Sequence, residues 1–109
     1  MLYIESYTSN AVGDNLANGK TWAKSNRNRK VVRMALVGGG AAADAEVDVF
    51  YGSEQVAHLI NFKTGAPDKT KSLWHTSNVF VAKNTPISVP VTNALSATAT
   101  FLVLDIKNV

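Results

Sequence analysis

Seven residues between positions 20 and 33 carry the strongest chemical signal in the chain: Lys20, Trp22, Lys24, Arg27, Arg29, Lys30 and Arg33. Cations interleaved with an aromatic ring suit a partner that offers phosphates to neutralise and bases to stack. The same residues suit an acidic neighbouring subunit or a lipid headgroup. The bland alternative is a solvated loop with Trp22 folded onto the body of the domain. The stretch holds six of the eleven positive charges, and no acidic residue lies between Asp14 and Asp44. Elsewhere five positive residues stand against eight negative ones, so the formal net charge of +3 is a local property and points to a partner.

Other groupings carry less chemistry. Gly38-Gly39-Gly40-Ala41-Ala42-Ala43 fits the G-x-G-x-x-A spacing of dinucleotide-binding loops. A phosphate cradle of that kind needs a helix N-terminus aimed at the pyrophosphate and a crossover of about a dozen residues before the next strand. Here the next strand-like segment begins about five residues later, so the glycines read as an interstrand connection and no cofactor is expected. Asp44, Glu46 and Asp48 alternate, which in an extended strand puts three carboxylates on one face at ~7 Å intervals. That is too wide for one calcium ion, and a solvated sheet face with Val47, Val49 and Tyr51 pointing inward is the expectation. His58 and His75 stand alone, and His58, on an apolar-leaning strand, is expected as a hydrogen-bonded core or interface residue. No G-x-S-x-G, P-loop, EF-hand or H-E-x-x-H pattern occurs, there is no cysteine, and no enzymatic activity or metal site is expected.

The elements that must position these residues are all strands. With 109 residues, 46% apolar and 17% charged, the chain suits one folded domain, residues 1–109, that needs no disulfide or metal staple. No apolar run approaches the ~20 residues of a transmembrane helix, and Glu5 among the first residues, with no basic segment before it, argues against a signal peptide. Strand-like segments are Leu2–Tyr7, Lys30–Val37, Glu46–Tyr51, Gln55–Phe62, Val79–Val81, Ile87–Val91 and Thr98–Ile106. Glu46–Tyr51 and Gln55–Phe62 form a hairpin around Gly52-Ser53-Glu54. Pro90 cannot donate to a ladder, so its strand lies at an edge or bulges there. The nearly unbroken run Phe101–Ile106 implies burial of both faces, with Phe101, Val103 and Leu104 in the core. Long loops are expected at about 8–29 and 63–78, with Trp22 in one and Trp74 in the other. Seven to eight short strands and no helical stretch of ten residues predict an all-β antiparallel β-sandwich of the jelly-roll kind.

From about Ala45 onward the order of parts resembles the small single jelly-roll structural proteins of virus particles, especially those of bacteriophages. The likeness rests on the hairpin A-E-V-D-V-F-Y-G-S-E-Q-V-A-H-L-I-N, then V-F-V-A-K-N-T-P-I-S-V-P-V-T-N, then T-A-T-F-L-V-L-D-I, about sixty residues of pattern without a diagnostic motif. The resemblance implies a non-enzymatic capsid, penton or spike-type subunit of the virion, built from repeated copies, with a basic arm facing nucleic acid, membrane or neighbouring subunits. The basic stretch departs from that pattern, since it lies inside the domain and is not a free terminal arm. A homo-oligomer is expected on separate grounds. Both faces of Gln55–Phe62 are apolar, and one sandwich has only one interior. The alternative is a ligand-binding β-sandwich module for carbohydrate or nucleic acid.

Overall fold

A computed structural model describes residues 1–40, 45–61 and 75–109, with side chains from residue 80 onward in the last segment. Among the described residues eight strands form two sheets: β1 (Leu2–Tyr7), β2 (Arg29–Gly38), β3 (Glu46–Tyr51), β4 (Glu54–Ile60), β5 (His75–Val81), β6 (Ile87–Ser88), β7 (Val91–Asn93) and β8 (Thr100–Asn108). The first sheet has the order β1-β8-β2-β5, and in the second β3 pairs with β4 on one side and with β6 and β7 on the other. Every pairing is antiparallel. The described chain is all-β apart from a short 3-10 helix at Thr21–Ala23.

The inner faces of the two sheets meet in one core. Val31, Met34 and Leu36 of β2 and Leu102, Leu104 and Ile106 of β8 pack there with Val47 and Val49 of β3, Leu59 of β4 and Val91 of β7. Burial strictly alternates along β3, so Val47, Val49 and Tyr51 point inward and Glu46 and Asp48 outward, as the charge pattern predicts. On β4 the inward face is Ala57 and Leu59, leaving His58 and Ile60 outside. His58 is therefore not a core residue, because the period of two places it on the face of Asp48, its direct cross-strand neighbour.

β2 and β8 are covered on both faces. Ala35, Val37 and Val103 form a second buried cluster with Phe101 packed against it, on the face turned away from the main core. The expectation for Phe101–Ile106 divides accordingly: Leu104 belongs to the main core, Val103 to the second cluster, and Phe101 is half-buried beside it. A register shift between Val31 and Arg33 keeps both Val31 and Met34 inward although they are three residues apart.

The segment before β2 is less free than a loop. Leu16 and Ala17 are buried, and residues 13–16 run antiparallel along 89–91, with Gly13 N donating to Val91 O, Val91 N to Asp14 O and Leu16 N to Val89 O at 2.8–2.9 Å. Pro90 sits in the gap between β6 and β7, opposite Asn15, where the ladder breaks as its missing donor requires. β5 starts at His75, so its first residues fall within the expected 63–78 loop. Trp74, Phe62, Asp44 and Ala41–Ala43 lie outside the described residues.

The glycine corner has a structural role. Gly38 and Gly39 adopt φ of 91° and 84°, values that favour glycine, as the chain leaves β2 for the other sheet. Asn61, fully buried, closes this corner: its Nδ2 donates to Gly38 O at 2.7 Å and its Oδ1 accepts from Ala45 N at 2.8 Å.

Candidate functional site

The fold distributes the seven residues of the basic stretch among three environments. Lys20 and Arg33 are paired. Lys20 Nζ lies 2.8 Å from Glu5 of β1 and 5.4 Å from the centre of the Tyr7 ring, and Arg33 Nε lies 3.3 Å from Asp105 of β8. These contacts tie the 8–28 segment and β2 to their neighbours, and both cations are partly neutralised. Tyr7 donates to Leu16 O, and its own burial, followed by the charge of Glu5, raises its pKa above the ordinary phenol value.

Trp22 and Arg29 are buried, at 2% and 3% exposure, so neither stands on the open surface. Trp22 is on the 3-10 helix and packs into the core, the bland alternative for that residue. Arg29 shares the face of Val31, two residues along β2, so the strand period carries it inside. Its guanidinium donates to Trp22 O through Nη1 and to Thr85 O through Nη2, the second at a long 3.5 Å. It forms no ion pair with any described residue. Desolvation accordingly lowers its pKa from the ordinary arginine value.

Lys24, Arg27 and Lys30 remain at the surface. Lys30 stands directly opposite Lys107 of β8 on one side and Phe80 of β5 on the other. Lys83 joins them just beyond β5, its backbone N–H held by Asn28 Oδ1 at 2.9 Å. The basic surface is thus one end of the first sheet, built from three strands and the preceding loop. Sequence reading missed the contributions of Lys83 and Lys107, because strand pairing brings them there from distant positions.

Lys24 and Lys107 also border a cleft of about 390 Å³ whose lining includes Tyr3, Trp22, Arg29 and Asn108 and, among the described residues, no acidic one. A separate polar cluster occupies the outer face of the second sheet. His58 is 41% exposed, with Nδ1 2.6 Å from Asp48 Oδ1 and Nε2 2.9 Å from Glu46 Oε1. Gln55 Nε2 also donates to Asp48 Oδ1, at 3.0 Å. The hydrogen bonds to Asp48 and then Glu46 raise the His58 pKa above its ordinary value, since two acceptors favour the doubly protonated ring. Among the described residues no group of three ligating side chains is arranged to hold a metal ion. None of their helices is long and apolar enough to cross a membrane.

Comparison with known proteins finds no matching family model, no curated relative and no similar solved structure. The functional reading therefore rests on the fold and on this charge distribution.

Proposed function

We propose that the chain is a non-enzymatic jelly-roll subunit of a virus particle, of the capsid, penton or spike type, that assembles through contacts with copies of itself. Strand order is the observation that carries the reading. In a jelly roll the first strand lies beside the last, the last beside the third and the third beside the sixth. In the other sheet the second lies beside the seventh, the seventh beside the fourth and the fourth beside the fifth. When residues 13–16 count as the second strand and β6 with β7 as a seventh strand broken at Pro90, the pairings of this chain follow that order in both sheets.

Support for self-assembly comes from the sheet edges. β1 and β5 end the first sheet and β4 ends the second, and each carries an exposed large apolar residue: Ile4 at 47%, Phe80 at 52% and Ile60. Edge strands with apolar side chains favour pairing with another chain, and repeated contacts of that kind build closed rings or shells. Light scattering on the purified chain tests the reading. Discrete assemblies that dissociate when Ile4→Lys and Phe80→Lys are introduced together support it; a monomer unaffected by the two changes overturns it. The basic cleft favours a second reading, a ligand-binding β-sandwich module, for which a monomer is the expected state.

A further inference from the structure

We infer that the cleft bordered by Lys24 and Lys107 is a binding site for a phosphate group. This holds whether or not copies of the chain assemble. Lys24, Lys107 and Arg29 bring three positive side chains to its lining, and no carboxylate among the described residues offsets them there. Arg29 is the decisive residue. It is 97% buried by area, both of its Nη groups donate only to neutral backbone carbonyls, and its Nε has no hydrogen-bond partner. A buried cation without a counter-charge is costly, and an oxygen-rich anion seated in the cleft offsets its charge.

The chemistry selects phosphate over a carboxylate. The cations belong to three separate side chains, from the 8–28 segment, β2 and β8, and do not form one planar fork. Several oxygens bearing up to two negative charges match three cations better than the single charge of a carboxylate. The phosphate has two sources, a small free phosphate compound or the backbone of a nucleic acid, and the experiment separates them.

The full chain, labelled with 15N, is titrated separately with inorganic phosphate and with a short oligothymidylate while the Trp22 Nε1–H and Arg29 Nε–H signals are followed. Trp22→Phe identifies the indole signal against that of Trp74. The site predicts saturable shifts of both signals with at least one probe, and affinity lowered by about tenfold or more in Lys24→Glu/Lys107→Glu but unchanged in Lys83→Glu. Both lysines are exposed, so the double variant keeps the fold, checked by its circular dichroism. Saturation by inorganic phosphate alone assigns a small ligand. Saturation by the oligonucleotide at far lower concentration, weakening steeply with salt, assigns a nucleic-acid backbone. The site is refuted if neither signal moves with either probe, or if the double variant binds as the parent chain does.

Discussion

Two side chains carry functions that no sequence motif marks. Asn61 joins the end of β2 to the start of β3 by satisfying Gly38 O and Ala45 N at once, in a place without water access. Asn61→Ala leaves both groups unpaired, so it costs about 1–3 kcal/mol for each, read as a lower denaturation midpoint with unchanged slope. His58 makes a pH-dependent contribution whose sign follows from its partners. Its folded pKa is raised by Asp48 and Glu46, so the stabilisation is fully present below its ordinary value of about 6.5 and is lost as pH rises through the folded value. The difference in denaturation midpoint between the parent chain and His58→Ala shrinks from pH 5 to pH 9. A difference that grows with pH contradicts the assignment. Neither role was legible beforehand: Asn61 looks like any polar residue at a strand end, and the partners of His58 depend on the register of a hairpin.

The strands themselves were legible to different degrees, for physical reasons. β3 could be read down to the facing of each side chain, because one wet and one dry face write a period of two into the sequence. β8 announced burial on both faces by its unbroken apolar run, although not that the faces meet different clusters. Leu104→Ala, in the main core, lowers stability by about 2–5 kcal/mol. Phe101→Ala lowers it less, since half-burial removes less contact area, and chemical denaturation of the two variants measures the order. The basic stretch was harder to read. Composition marked 20–33 as one surface, whereas the strand period takes Arg29 inside and ion pairs hold Lys20 and Arg33. Had the alternation of β2 been extended back from Val31, Arg29 would have been placed inward from sequence alone. Trp22 had no such signal, since it lies on a single 3-10 turn that packs against β6, far away in sequence.

Across the molecule, positive and negative charge are segregated. Lys24, Arg27, Lys30, Lys83 and Lys107 gather at one end of the first sheet, while Glu46 and Asp48 lie on the outer face of the second. Three sheet edges expose large apolar residues. Apolar side chains left at the sheet edges are the physical basis of the proposed assembly with copies of the chain. The proposed interaction uses apolar edges, so the expected outcome is an assembly that added salt does not disperse, in contrast to the proposed phosphate binding at the basic end. Sedimentation of the full chain at micromolar concentration and moderate salt tests this most directly. The account predicts a defined species several times the 11.7 kDa chain mass. A single 11.7 kDa monomer that persists as concentration rises contradicts it.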